Sequence, residues 1–195
     1  TATPIPRSLA MVAYGDLDCS VIDELPPGRT PVTTTLIDHD RRDAVIKRVG
    51  AACRDGRQAY WVCTAIEESD SLHMEAATAT LETLSAALPD VTIGLVHGKL
   101  KPADKANVMA QFKAGSLQLL VATTVVEVGV DVPKASLMII DNAERLGLAQ
   151  LHQLRGRVGR GAIESHCVLL FRPPLSMTTQ ERLKVMQDTH DGFVI

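Results

Sequence analysis

Short, almost wholly apolar segments alternate along this chain with longer amphipathic ones, and this alternation limits the possible folds more than any other feature. The apolar segments have the length of strands, and the amphipathic ones have the length and period of helices. A strand that is apolar throughout is buried on both faces, which is typical of a parallel sheet with helices on each side. The sequence therefore predicts a three-layer α/β fold. The predicted elements are strand Val32–Ile37, helix Arg41–Cys53, strand Gln58–Cys63, helix Leu72–Leu88, strand Val91–Val96, helix Pro102–Ala114, strands Leu117–Ala122 and Leu137–Asp141, helix Ala143–Arg157 and strand Cys167–Phe171.

A proline-rich stretch, residues 26–31, divides the chain. Three prolines and a glycine in six residues stop any regular element, so we expect a linker there. Residues 1–25 then belong to a preceding unit, and residues 32–174 form the α/β domain. From residue 175 the pattern changes, and Thr178 and Glu181 have the spacing of a capping box, which predicts a helix to about Thr189. The chain starts without Met and ends on an apolar run, so we expect a segment of a longer protein.

Charge and cysteine content narrow the class of protein. The net charge of −3 argues against nucleic-acid binding by bulk positive charge, but it allows a local phosphate site. No run approaches the roughly 18 apolar residues of a membrane span. The cysteines form no C-x-x-C pair and the histidines are not clustered, so we expect reduced thiols, no metal site and a cytoplasmic protein without a membrane partner. The four cysteines are Cys19, Cys53, Cys63 and Cys167.

A glycine-rich segment near residue 155 carries two arginines that favour phosphate binding. Gln150, Gln153, Arg157 and Arg160 have the spacing i, i+3, i+7, i+10, which on a helix puts two amides and two guanidinium groups on one face. Arginine stays charged and binds oxyanions bidentately, so such a face suits a polyphosphate. A solvated helix face is the alternative. The three glycines beside the arginines weaken that alternative, because glycine in a helix costs up to about 1 kcal/mol.

Polar residues follow the predicted strand that ends at Ala122. Thr123 and Thr124 stand where a helix should begin, so their N–H groups and hydroxyls could hold a phosphate. Gly129 permits a tight turn, and Asp131 could accept hydrogen bonds from a ribose hydroxyl or orient an arginine. An N-capping threonine with an ordinary turn is the alternative.

Two further strands end in residues that suit a nucleic-acid backbone. His97 and Gly98 precede Lys99 and Lys101, where the glycine allows close approach and the lysines can pair with phosphates. Thr64 follows the strand that carries Trp61, the single tryptophan. A structural histidine and solvated lysines are the alternatives, and Trp61 is expected in the core.

These motifs together resemble those of superfamily 2 helicases. Residues 153–160 resemble motif VI, residues 121–133 motif V, residues 60–64 motif IV and residues 1–7 motif III. The longer run 146–160 is similar to the branch that contains the RecG-like helicases and the transcription-repair coupling factor. The linker and the segment from residue 175 fit the RecG-like helicases better, in which such a segment opens a helical hairpin.

The resemblance implies a RecA-like domain and a role for each motif. It implies that Arg157 and Arg160 are catalytic arginine fingers, and that residues 1–25 are the tail of a first motor domain. The other implied roles are cofactor binding for Gln153, Gly129 and Asp131; DNA binding for Thr64, His97, Gly98, Lys99, Thr123 and Thr124; and coupling for Thr1, Thr3 and Glu127.

The resemblance also implies what lies elsewhere. The chain has no G-x-x-x-x-G-K-[ST] loop, and Asp23 and Glu24 do not follow a strand as an acidic Mg²⁺ motif would. We therefore expect ATP and Mg²⁺ to be held mainly by a first motor domain, and this segment alone to have negligible ATPase activity. The expected function is that of the second motor domain of a helicase acting on branched DNA at stalled forks and recombination junctions. Its partners would be DNA and the N-terminal motor and wedge domains of the same protein.

Two rival interpretations remain, and a third is excluded. A transcription-repair coupling factor shares these motifs. A non-enzymatic docking module of RecA-like shape would bind nucleic acid whether or not the two arginines are present. A dinucleotide-binding oxidoreductase requires G-x-G-x-x-G after the first strand, and that motif is not in the sequence.

Overall fold

The computed structural model describes residue 27 and residues 30–64, 70–123 and 132–190. Strand and helix alternate as the sequence predicts, and most observed bounds lie within two residues of the predicted ones. Short 3₁₀ turns occupy His39–Arg41 and Ala143–Arg145. The elements are β1 Thr33–Asp38, α1 Arg42–Arg54, β2 Gln58–Cys63, α2 Asp70–Ala87, β3 Ile93–Val96, α3 Pro102–Lys113, β4 Leu119–Thr123, β5 Ala135–Ile140, α4 Leu148–Arg155, β6 His166–Phe171 and α5 Met177–Asp188.

The six strands form one parallel sheet in the order β1-β6-β5-β2-β4-β3. Because every pair is parallel, the carboxyl ends of all six strands meet at one edge. In the middle of the sheet Cys63 pairs with Thr123, and next to it Val96 pairs with Ala122. The loops that follow β2, β3 and β4 therefore start side by side, which is the arrangement that the candidate residues require.

Alternate residues of each strand point to opposite faces, and each face carries its own apolar core. On one face Tyr60, Val62 and Leu120 pack with residues of α3, α4 and α5. On the other face Trp61 and Val121 pack with residues of α1 and α2. Helices cover both faces, so the predicted three-layer fold is confirmed. Trp61 is fully buried, which confirms its predicted place in the core.

The predicted helix Ala143–Arg157 is wrong in its extent. Residues 143–145 form a separate 3₁₀ turn, and α4 runs only from Leu148 to Arg155. Gly147 begins the helix, where its N–H donates to Oε1 of Gln150, and Gly156 ends it. The α4 helix is therefore about two turns long, and the residues after 155 follow a different path.

Helix α5 has a different N-cap from the predicted one. The sequence pointed to Thr178, whereas Ser176 occupies the cap and its Oγ accepts a hydrogen bond of 3.2 Å from the N–H of Thr179. Two side chains of α5, Leu183 and Met186, are buried in the core formed with α4. Residues 177–188 thus pack on the same sheet as the alternating unit.

The three cysteines that the structure describes lie in the core. Cys53, Cys63 and Cys167 are free and buried, as expected, while Cys19 lies outside the described residues. Among the helices of the described ranges, none is both long and apolar enough to cross a membrane.

Candidate functional site

The two arginines of the glycine-rich segment lie in a turn and not on a helix face. Helix α4 ends at Arg155, so the predicted single face of Gln150, Gln153, Arg157 and Arg160 is wrong. The main-chain N–H of Arg157 still donates to the carbonyl of Leu154, at 3.0 Å, and the chain then turns. The Nε of Arg160 donates back to the carbonyl of Gly156, at 3.2 Å. Both arginines are held half-buried just beyond the carboxyl end of α4.

The electrostatics of this turn favour an anion. Burial lowers the pKa of Arg157, and the nearby positive charge of Arg160 lowers it further. Both effects disfavour the charged form of the Arg157 guanidinium. An anion placed beside the two arginines would offset the repulsion between them. The half-buried position strengthens any such charge interaction relative to one in bulk water.

Two glycines fix the shape of the turn. Gly159 has φ of +77°, a conformation that side chains rarely adopt, and a Cβ there would lie 2.6 Å from Cγ2 of Val32. A Cβ on Gly161 would lie 2.5 Å from the carbonyl oxygen of Pro133. The backbone thus approaches a neighbouring segment closely at both positions. Pro133 comes two residues after Asp131, so the segment that resembles motif V ends against the segment that resembles motif VI.

Three apolar side chains of this segment face the core. Leu151, Leu154 and Val158 are all buried against the sheet. Gln153 lies on the exposed side of α4. Its side chain is therefore on the surface that faces away from the core, as a nucleotide contact requires.

His97, Gly98 and Thr123 lie at the carboxyl ends of neighbouring strands. His97 directly follows β3, and Thr123 is the last residue of β4. The Nδ1 of His97 accepts a hydrogen bond of 3.2 Å from the N–H of Lys99, which shapes an exposed turn containing Gly98 and Lys99. A Cβ on Gly98 would meet nothing within 4 Å, so the backbone of this turn is open to solvent. Thr123 is buried.

Thr64 has a structural role that its sequence position did not predict. Its side chain is buried, and its Oγ1 lies 2.9 Å from the carbonyl oxygen of Asp141 and 3.2 Å from that of Asn142. The hydroxyl thereby ties the end of β2 to the end of β5. A phosphate contact by Thr64, which stays a prediction, would need the hydroxyl to leave these carbonyls.

Six of the predicted site residues lie outside the described residues. They are Thr1, Thr3, Thr124, Glu127, Gly129 and Asp131. Their roles stay predictions.

The sequence reasoning missed a polar network at the carboxyl ends of β1, β5 and β6. Asp141 is buried and lies 3.0 Å from Nη2 of Arg42 and 3.9 Å from Nε2 of His39. Arg172 donates to Oδ1 of Asn142, at 3.0 Å. Asp141 and Asn142 directly follow the buried strand β5, and this position in the sequence could have marked them as candidate site residues. Arg42 could not be assigned in this way, because it is 99 positions from its partner.

Within the described ranges, no group of three or more His, Cys, Asp or Glu side chains has a geometry that could hold a metal ion.

Comparison with known proteins identifies the family. Residues 40–162 match the helicase conserved C-terminal domain. The whole chain is 70% identical to the ATP-dependent DNA helicase RecG of Escherichia coli (strain K12), over 28% of that protein. RecG of Bacillus subtilis (strain 168) is 49% identical over 99% of the chain and, again, 28% of the relative. The chain thus spans just over a quarter of the length of these relatives.

Solved structures give the same result. The structure of RecG bound to a three-way DNA junction superposes with a TM-score of 0.81 and 46% identity, covering 98% of this chain and 25% of that one. Dbp5 of S. cerevisiae bound to RNA and ADP BeF3 has a TM-score of 0.65 at 13% identity, covering 96% of this chain and 46% of that one, and it shows the fold alone. The predicted RecA-like fold is confirmed. From its motifs, its sheet and these likenesses, the chain belongs to the helicase conserved C-terminal domain family, in the form found in RecG helicases.

Proposed function

We propose that this chain is the second motor domain of an ATP-dependent DNA helicase or translocase that acts on branched DNA. The observation that carries the proposal is the pair Arg157 and Arg160, held half-buried in a turn of fixed shape. Relatives at up to 70% identity are named ATP-dependent DNA helicases, and one solved relative is bound to a three-way DNA junction. Because the chain spans 28% of those relatives, the activity of the whole protein is part of the proposal.

The arginine turn would complete an ATP site with a first motor domain. Arg157 and Arg160 would reach the β- and γ-phosphates across a cleft and neutralise the charge that develops during hydrolysis. Gln153, Gly129 and Asp131 would line the same cleft. Mg²⁺ would be held mainly by the first motor domain, which also supplies the phosphate loop. The segment alone is then inactive, because it lacks both the loop and the metal carboxylates.

The carboxyl ends of β2, β4 and β3 would track the DNA backbone. Thr64, Thr123 and His97 follow or end three adjacent parallel strands, so they occupy neighbouring positions along one edge. Gly98 and Lys99 extend this edge, and backbone amides with a lysine are typical phosphate contacts. Thr124 would add a further phosphate contact. Opening and closing of the cleft would shift this edge along the DNA, with Thr1, Thr3 and Glu127 coupling it to the ATP state. The N-terminal wedge would supply fork recognition.

The test is DNA-stimulated ATP hydrolysis by the full-length protein on a branched substrate. Arg157→Ala and Arg160→Ala are each expected to lower kcat by about 10³-fold or more, with ATP and DNA binding largely kept. Arg48→Ala is the matched control, because Arg48 is exposed on α1, on the opposite face of the sheet from α4. Wild-type turnover in both arginine variants would reject the proposal and favour the docking-module interpretation. A loss in the Arg48 variant as well would show that the effect is one of general charge.

A further inference from the structure

Arg155 is a buried arginine that the proposed mechanism leaves without a role. It is 3% exposed and comes directly before the turn that holds Arg157 and Arg160. Among the described residues no aspartate or glutamate forms an ion pair with it. A buried cation without an acid is costly unless hydrogen bonds compensate. Burial accordingly lowers the pKa of Arg155.

The guanidinium group has three hydrogen-bond partners from three elements, and none of the three is an acid. Nη1 donates to the carbonyl oxygen of Met186, at 2.6 Å, and lies 3.4 Å from Oγ1 of Thr34. Nη2 lies 3.1 Å from Nδ1 of His152, one turn earlier on α4. Arg155 therefore joins the end of α4 to β1 and to α5.

The bond to Met186 is stronger than an ordinary bond to a carbonyl. Met186 lies in the last turn of α5, where the final four carbonyls have no partner within the helix. The carboxyl end of a helix also carries a partial negative charge, which stabilises a cation placed there. The side chain of Arg155 thus acts as a cap on the carboxyl end of α5, and this explains how a buried charge persists without a carboxylate.

We infer that Arg155 is a positioning residue that holds the arginine turn in register with α5. This inference rests on the proposed function. One residue, Gly156, separates Arg155 from Arg157, so a displacement of the end of α4 moves both arginines. A lysine has a single ammonium group and cannot bond the two sides of the site that the planar fork reaches. The position of α5 thereby sets the position of the catalytic pair.

The experiment measures kcat and KM for ATP in the full-length protein with branched DNA. Arg155→Met and Arg155→Lys are expected to lower kcat by roughly 10- to 100-fold with little change in KM, because misplacement by about 1 Å weakens only transition-state contacts. Arg54→Met is the matched control. Arg54 also donates two hydrogen bonds, to the carboxylate of Asp90 at 2.5 and 2.9 Å, but it lies on α1, on the opposite face of the sheet from α4 and α5. This variant is expected to keep kcat within about threefold of the wild-type value, because the changed side chain makes no contact to the transition state.

A second measurement separates positioning from folding. In a background that carries both Arg157→Ala and Arg160→Ala, Arg155→Lys is expected to cause almost no further loss, because both groups that it positions are already absent. Additive losses, an equal loss in Arg54→Met, or wild-type kcat in Arg155→Lys would each overturn the inference. If Arg157→Ala and Arg160→Ala keep full turnover, the proposed function itself fails. If those two lose turnover and the Arg155 variants do not, only the positioning role fails.

Discussion

Gly161 lies so close to Pro133 that the two chain segments leave no room for a side chain between them. A Cβ on Gly161 would come within 2.5 Å of the Pro133 carbonyl oxygen and within 3.3 Å of its carbonyl carbon. Both obstacles are backbone atoms, which cannot rotate away as a side chain does. This contact joins the end of the arginine turn to the start of β5.

Gly161→Ala is therefore expected to displace the arginine turn. Overpacking of this kind costs about 1–3 kcal/mol. In the full-length protein, hydrogen exchange of peptides from residues 148–165 should become faster, and DNA-stimulated ATP turnover should fall. Gly98→Ala is the control for stability, because its Cβ meets nothing within 4 Å. Equal exchange rates in the two variants would show that the close approach does not constrain the turn.

The Arg42–Asp141 ion pair is expected to contribute more to stability than the Arg54–Asp90 pair. The first lies at 3.0 Å with side chains 20% and 8% exposed, whereas both side chains of the second are about half exposed. Asp141→Asn leaves Arg42 without its acid, and we expect a loss of about 2–4 kcal/mol. Asp90→Asn is the matched surface control and should have a smaller effect, because solvent screens that pair.

Hydrogen exchange of peptides from α1, β2 and β5 in the full-length protein measures this difference. The guanidinium carbon of Arg42 lies 5.4 Å from the ring centroid of Trp61 on β2, so the amide of Trp61 should become less protected when Asp141 is changed. Faster exchange in the Asp90 variant than in the Asp141 variant would contradict the ranking.

The buried thiols are expected to resist alkylation and to make the domain less stable in alkali. Burial raises the pKa of Cys53 to about 11, and that of Cys63 and Cys167 to about 12. An unfolded thiol has a pKa of about 8.5. Because the folded pKa is the higher one, the stability contribution is fully present below about pH 8.5 and is lost as pH rises towards the folded value.

Alkylation of the native full-length protein with iodoacetamide at increasing pH, read by peptide mass spectrometry, checks this expectation. Cys167 should stay unmodified between pH 7 and 8.5 and should be labelled at once in denaturant. Its labelling should then accelerate above pH 8.5 as the fold weakens. Rapid labelling of Cys167 at neutral pH in the native state would contradict the burial argument.

The sequence predicted the parts of the fold that depend on local pattern. Strands such as Gln58–Cys63 are apolar in all but their first residue, so their type follows from the residues themselves. The end of α4 was different, because Gly159 and Gly161 act through tertiary contacts that no helical period contains. A longer helix was predicted there, and the two arginines were placed on a face that does not exist.

Arg155 and Asp141 show why part of the site could not be predicted. Arginine is rarely buried without an acid, so the sequence gives no reason to place Arg155 in the core. Its main partner, Met186, is a carbonyl 31 residues away, and any residue type could supply it. A sequence motif identifies a site by its side chains. The bond between Arg155 and the carbonyl of Met186 depends instead on where the ends of α4 and α5 meet.

The exposed turn after β3 gives a prediction about DNA affinity. Lys99 lies at the carboxyl edge of the sheet, beside His97, and Lys113 lies at the end of α3, which runs back to the opposite edge. Both lysines are exposed. If Lys99 neutralises one phosphate, Lys99→Ala should lower the slope of log K against log salt concentration by about 0.9. The loss of affinity should be uniform across DNA sequences, since a phosphate contact reads no base. Lys113→Ala has the same change of charge and should leave the slope unchanged. Equal slopes for the two variants, measured on the full-length protein with a branched substrate, would mean that this edge of the sheet does not contact the DNA backbone.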